Sequence, residues 1–270
     1  MLNPRTFLDI YAAHCRVATA QQLQYRVALV IWLCFTVLEP TIYLVVWSAV
    51  ASASGGAVGG FGPRDFAAYF IVTMLVNHLT FTWIMHEMEY RVRYGQFSPK
   101  LLRPLHPIHG DIADNLVYKV LTLGVLLPAA IALAFVFEAR FTVDMRALAL
   151  AVPALLLAFA IRFMTGWTLA LAAFWTTRIA AVNQLYFGAS IFLSGQMAPL
   201  ALFPEFIQIF ASATWFRWTV AFPVELILGR LGMEQILAGL GAQVIWLAIA
   251  YAVLRLVWSS SLRRFTAVGA

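Results

Sequence analysis

The chain has 270 residues, of which 63% are hydrophobic and only 11% charged. A water-soluble domain carries about 25% charged residues, so this sequence lacks the charge to coat a globule in water. Its 18 basic and 12 acidic residues leave a net charge of +6, but no basic run marks a nucleic-acid face. Soluble enzymes, disordered chains and nucleic-acid binders are excluded. An all-α integral membrane protein is the class that fits.

Residues 1–24 place Phe7, Ile10, Tyr11, Val17 and Ala18 at helical spacing, with Asp9, Arg16 and Thr19 on another side. This pattern predicts an amphipathic helix lying in the headgroup region. The polar interruptions Arg5, Asp9, His14 and Arg16 argue against a cleavable signal peptide. Cys15 and Cys34 do not make a disulfide framework.

Six stretches then approach the roughly 20 apolar residues that cross the hydrocarbon layer: 27–50, 66–85, 116–137, 147–175, 179–198 and 238–258. Pro40 predicts a kink in the first. Lys119 stands just inside the start of the third, where it can snorkel. The fourth exceeds the minimum length, which predicts tilt.

Six crossings put both termini on one side. If that side is the cytoplasm, it holds Arg5, Arg16, Arg26, Arg91, Arg93, Lys100, Arg103, Lys119, Arg178, Arg255, Arg263 and Arg264. The opposite side holds Arg64, Arg140, Arg146, Arg217 and Arg230, with Arg162 inside a span. The positive-inside rule selects this orientation.

Two segments interrupt the spans. Residues 91–115, between the second and third, carry Arg91, Arg93, Lys100 and Arg103 along with Pro99, Pro104 and Pro107. Prolines break helices and stiffen turns, so this is a cytoplasmic loop with short helical pieces. It reads either as a solvated connector that sets topology or as a docking surface. Residues 198–233 are apolar but broken by Pro199, Pro204, Glu205, Arg217, Pro223, Glu225 and Arg230. They predict a pair of short helices dipping into the outer leaflet, a shape allowed only where broken backbone meets protein or water.

Charges at mid-membrane are the sharpest functional signal. Glu39 and Arg162 both sit about 20 Å above the inner boundary at 1.5 Å per residue. They are expected to pair across the first and fourth helices or to line one polar path, with a static pair that fixes helix register as the alternative. His78 and His86 are eight residues apart, which does not suit a helical metal site, and His106 and His109 lack a cysteine pair. Asn183 and Gln184 suit interhelical hydrogen bonds. No G-x-S-x-G, H-E-x-x-H or phosphate-loop motif occurs, so no catalytic, metal or cofactor site is expected in this chain.

Local phrases carry a resemblance. RYGQFSPKLLRPLHPIHGDIADN at 93–115 is similar to the G-x-x-x-x-x-L-x-x-P-L stretch of the coupling loop in ABC-2 type transporter permeases, through Gly95, Leu101, Pro104 and Leu105. FLSGQMAPLALFPEFIQ at 192–208 resembles that family's glycine, proline and F-P pattern, here Gly195, Pro199, Phe203 and Pro204. FPVELILGRL at 222–231 resembles its P-x-x-x-x-x-G, here Pro223 and Gly229. Gln196 departs from the basic residue often found after that first glycine.

The resemblance implies six transmembrane helices, an N-terminal interfacial helix, and a re-entrant outer hairpin between the fifth and sixth spans. It also implies a coupling loop containing Arg91, Arg93, Gly95, Lys100, Leu101, Leu102, Arg103, Pro104, Leu105 and Pro107, which docks on a separate cytoplasmic ATPase. ATP and Mg would bind that partner. A second permease copy or paralogue would complete the pathway, within the lipids of a bacterial inner membrane, and export is the expected direction. The alternative is an ion-coupled secondary transporter with Glu39, Arg162 and His78 as relay; such folds usually carry internal repeats, and none is evident. Nothing in the sequence selects among drugs, cationic toxicants, lipids, peptides and glycans as cargo.

Overall fold

A computed structural model describes residues 4–142, 144–176 and 178–264. It is helical throughout, with one isolated bridge between Val58 and Phe61. In chain order the helices are α1 (Pro4–Gln24), α2 (Arg26–Ala53), α3 (Pro63–Thr80), α4 (Ile84–Arg93), α5 (Ser98–Leu101), α6 (Ile108–Val136) and α7 (Met145–Ala170). There follow α8 (Ala180–Leu193), α9 (Glu205–Ser212), α10 (Trp215–Thr219), α11 (Ala221–Ile227) and α12 (Met233–Arg264). A 3₁₀ turn, Leu171–Phe174, extends α7, and another, Leu200–Leu202, follows α8.

Five helical stretches are long and apolar enough to cross a membrane: Arg26–Ala53, Pro63–Arg93, Ile108–Val136, Met145–Phe174 and Met233–Arg264. The fifth expected span, 179–198, holds a shorter apolar helix than the other five. Its helix, α8, has 14 residues and rises about 21 Å, short of the roughly 30 Å hydrocarbon layer. Glycine and proline at 195 and 199 stop it.

α3 is the hub. Pro63 at its first position and Asp65, whose carboxylate accepts the Gly62 N–H at 3.0 Å, fix where it starts. Phe66, Phe70, Met74 and Val76 are almost fully buried, and α2, α6, α7 and α11 pack around them. The outer helices differ: α2 leaves Val27, Val30, Phe35, Leu38 and Val46 exposed. Apolar surface on that scale is stable only against lipid or another chain. α2 passes Pro40 without a break in its helical assignment.

α1 packs along α6, and the Tyr11 hydroxyl hydrogen-bonds His109 Nδ1 at 2.7 Å. Of the expected apolar stripe, Ala18 is buried while Phe7 and Val17 are exposed. At the other end Gln243 of α12 donates to the carbonyls of Ala154 and Trp218, at 3.0 and 2.7 Å, tying α12 to α7 and α10.

Gly239 lets α11 approach α12. A Cβ there would lie 2.1 Å from Phe222 Cε2, whereas one on Gly241 meets nothing within 4 Å. Overpacking therefore sets Gly239→Ala at about 1–3 kcal/mol destabilising. Gly241→Ala should be neutral or stabilising by up to about 1 kcal/mol. Thermal unfolding of both variants in one detergent checks the contrast.

Candidate functional site

The second apolar stretch is not one helix. Residues 81–83 unwind between α3 and α4, and Phe81 adopts an extended conformation at φ −65°, ψ 146°. Thr80, Phe81, Thr82 and Trp83 are β-branched or aromatic, types that lose side-chain freedom in a helix. Unwinding strips carbonyls of their helical donors. Lys119 answers one of them: its Nζ donates to the Phe81 carbonyl at 2.6 Å. Lys119 is buried and turned inward onto this break rather than snorkelling to an interface.

Arg162 of α7, also buried, lies on the other flank. One of its guanidinium nitrogens donates to Asn77 Oδ1 at 2.8 Å and to Thr80 Oγ1 at 2.9 Å. The Thr80 hydroxyl already donates to the Val76 carbonyl at 2.8 Å, so its free lone pairs face the guanidinium. The Phe81 ring lies 5.5 Å from the guanidinium carbon. Among the described residues neither cation has a carboxylate partner. Neutral dipoles on and beside the break hold both charges instead. The direct Glu39–Arg162 ion pair expected from sequence is not formed.

Glu39 and Arg162 nevertheless line the same cavity, of about 430 Å³, between α2, α3, α6 and α8. Its walls include Trp32, Tyr43, Trp83 and Phe187, with Glu87 and Asp114 also on the lining. Trp32 of α2 stands 5.2 Å from Trp83 of the break, ring centre to ring centre, and Phe81 stands 5.6 Å from Phe187 of α8. The unwound segment thus brings aromatic rings from three elements to one wall. His78 hydrogen-bonds Thr122 Oγ1 at 2.9 Å. Because that hydroxyl donates to the Tyr118 carbonyl at 2.6 Å, His78 Nε2 is the donor in the pair.

The 91–115 segment is more helical than expected, because α4 runs to Arg93 and α6 begins at Ile108. Its centre of charge is Asp111, 1% exposed. Arg91 donates to Asp111 Oδ1 at 2.6 Å, Trp167 Nε1 donates to Oδ2 at 2.9 Å, and Lys100 Nζ approaches Oδ1 at 3.7 Å. A second Arg91 nitrogen reaches Glu87 at 2.6 Å. One carboxylate so joins α4, α5, α6 and α7. Phe97 is fully buried and Leu101 packs partly under the same cluster. Gly95 turns at φ +68°. Leu102, Arg103 and Pro104 project, with Leu102 87% exposed, whereas Leu105 and Pro107 are half-buried and Arg93 is exposed. Burial lowers the Lys100 pKa, against the pull of Asp111.

Residues 198–233 form three short helices, α9 to α11. Trp47 Nε1 donates to the Met197 carbonyl at 2.9 Å, and the Tyr69 hydroxyl donates to the Gly195 carbonyl at 2.8 Å. Gly195 sits at φ +82°, and a Cβ there would lie 2.8 Å from that hydroxyl oxygen, so only glycine fits. Pro199 and Pro204 precede the 3₁₀ turn and α9; Phe203 lies between them, half-buried. α9 leaves Phe206, Ile209 and Phe210 exposed, while Phe222, Pro223 and Val224 of α11 are buried. Gly229 turns at φ +65° beyond α11.

The model for ABC-2 family transporter proteins matches residues 37–269. The chain belongs to that family. As an ABC-2 type permease it is a multi-pass membrane transport component. The match begins within α2, so α1 lies outside it. Among curated proteins none matches the chain.

Sequence reasoning did not single out Asp111 or Trp167, nor the role of Lys119 at the break. The available signal was a carboxylate just ahead of the third span, 20 residues after Arg91. In this ABC-2 permease Asp111→Ala leaves the Arg91 guanidinium without its buried acceptor and Trp167 Nε1 without any. A loss of about 3–5 kcal/mol is expected, read as a lower unfolding midpoint, with Asp111→Asn in between.

His106 caps α6. Its Nδ1 accepts the Ile108 N–H at 3.2 Å, with its ring 4.5 Å from that of Trp258. Partial burial, then the neighbouring His109, hold its pKa below the ordinary value. The folded state therefore binds fewer protons than the unfolded state as pH falls below about 6.5, and stability is lost in that direction. The melting-temperature advantage of wild type over His106→Asn, which does not titrate, should shrink between about pH 7.5 and pH 5.5.

Proposed function

We propose that this chain is the permease of an ATP-driven exporter, working as a homo- or heterodimer with a separate cytoplasmic ATPase that binds the ATP and Mg. Both termini and the 94–107 loop then face the cytoplasm across a bacterial inner membrane. α8 with its following 3₁₀ turn forms the sixth crossing, and α9 to α11 form the re-entrant hairpin that covers the outer end. The exposed apolar face of α9 suits an interfacial position.

The observation that supports this reading best is the Asp111 junction beneath an exposed loop tip. Leu102, Arg103 and Pro104 offer an apolar knob, a cation and a stiff turn at the one place where α4, α5, α6 and α7 are tied by charge. A partner that moves this tip acts on four helices together. The ion-coupled alternative has weaker support, because Arg162 is held by Asn77 and Thr80 rather than by an acid it could exchange protons with.

Leu102→Asp tests the proposal. Its side chain is exposed, so the unfolding midpoint should stay within the equivalent of about 0.5 kcal/mol of wild type. Co-purification with the ATPase and ATP-driven transport should fall at least tenfold. Undiminished capture and transport would defeat the docking assignment.

A further inference from the structure

We propose that the cavity between α2 and α8 binds lipophilic organic cations, with Glu39 as the residue that recognises their charge. The inference rests on the permease reading, and it names the class of cargo.

Glu39 lies halfway along α2 and lines the cavity, yet its carboxylate makes no hydrogen bond or ion pair among the described residues. The basic side chain on the same lining is committed elsewhere: Arg162 is 3% exposed and held by Asn77, Thr80 and the Phe81 ring. A lone carboxylate at this depth is costly, and a cationic ligand removes that cost. Of the other acids on the lining, Glu87 is paired with Arg91, whereas Asp114 forms no ion pair among the described residues. The charge a ligand can reach is therefore negative, and a phosphate or carboxylate ligand would find no free donor cation.

The rest of the wall selects the kind of cation. Trp32 and Trp83 are 51% and 40% exposed, so their rings are open to a ligand rather than sealed in a core. Trp83 also stacks with Phe187 at 6.4 Å and 25°. Aromatic faces attract large, weakly hydrated cations. A metal ion would instead demand several oxygen ligands, and no group of three His, Cys, Asp or Glu side chains suited to a metal occurs among the described residues. The volume of about 430 Å³ suits a drug-sized molecule.

The test measures equilibrium binding to the full chain in nanodiscs of zwitterionic lipid, against empty nanodiscs, by tryptophan quenching. The probes are tetraphenylphosphonium and tetraphenylborate, alike in shape and opposite in charge. Wild type should bind the cation at least tenfold more tightly than the anion. Glu39→Gln should weaken cation binding about tenfold and leave the anion unchanged, while Glu39→Asp keeps most of the affinity. Trp32→Leu should weaken the cation as well. Equal affinity for the two probes in wild type, or unaltered cation binding in Glu39→Gln, would overturn the proposal. Should Glu39→Gln not fold, the probe contrast in wild type and the Glu39→Asp result still decide it. No ATPase is present in this assay. A chain that captures its ATPase and ignores tetraphenylphosphonium refutes this inference alone, and one that binds the cation through Glu39 without capturing an ATPase refutes the ATP-driven reading.

Discussion

The bond from Lys119 Nζ to the Phe81 carbonyl is the constraint on which the site depends. An unwound turn inside an apolar bundle leaves backbone acceptors that lipid cannot satisfy. A buried ammonium without a counter-ion is equally unfavourable. Each is the remedy for the other. Arg162 repeats the arrangement on the opposite flank through Asn77 and Thr80 in the last turn of α3. Two cations that would repel each other in a dry core are thereby spaced around a single interruption. α3 can then be the most enclosed helix of the molecule and still end at mid-bundle.

That interruption shapes the cavity. A continuous helix would carry Phe81, Thr82 and Trp83 around its circumference at 100° steps and scatter their rings. In the extended segment Phe81 and Trp83 meet Trp32 and Phe187 instead. Because the cations are consumed in holding the break, they leave Glu39 as an unpaired charge on the same lining. The polarity of the cavity thus follows from how the backbone is satisfied, not from a count of acids and bases.

Much of this was legible in the sequence, and the limits have physical reasons. Apolar runs locate α2, α6, α7 and α12 because lipid-facing helices must be apolar over their whole length. The loop and the short helices of 198–233 announce themselves through proline, glycine and charge. Arg162 and Glu39 stand out for their depth. What hydropathy does not encode is the break at 81–83, because its residues are as apolar as their neighbours and only long-range contacts decide whether they wind. The same holds for the partner of Arg162. Depth made Glu39 the natural candidate, but depth fixes one coordinate, and rotation about the helix axes brought Asn77 and Thr80 to the guanidinium. Asp111 was hidden for a related reason: its helix begins eight residues before the apolar run, inside what reads as a polar loop.

The two centres share their supports. α7 carries Arg162 at the break and Trp167 at the Asp111 junction, five residues apart, or about 7.5 Å along the axis. α4 begins at the break and carries in its last turn Arg91, which grips the same aspartate. A displacement of the 94–107 tip therefore enters α4, α6 and α7 together, and all three lead to residues 81–83, α6 through Lys119. An unwound segment is where such a displacement can be absorbed, since extended backbone changes φ and ψ without breaking a helical ladder. The Lys119 bond holds that segment in the conformation that brings Phe81 and Trp83 to the aromatic wall. Mechanical continuity alone does not establish coupling. It does show that the tip and the turn that shapes the cavity share α4, α6 and α7 as supports.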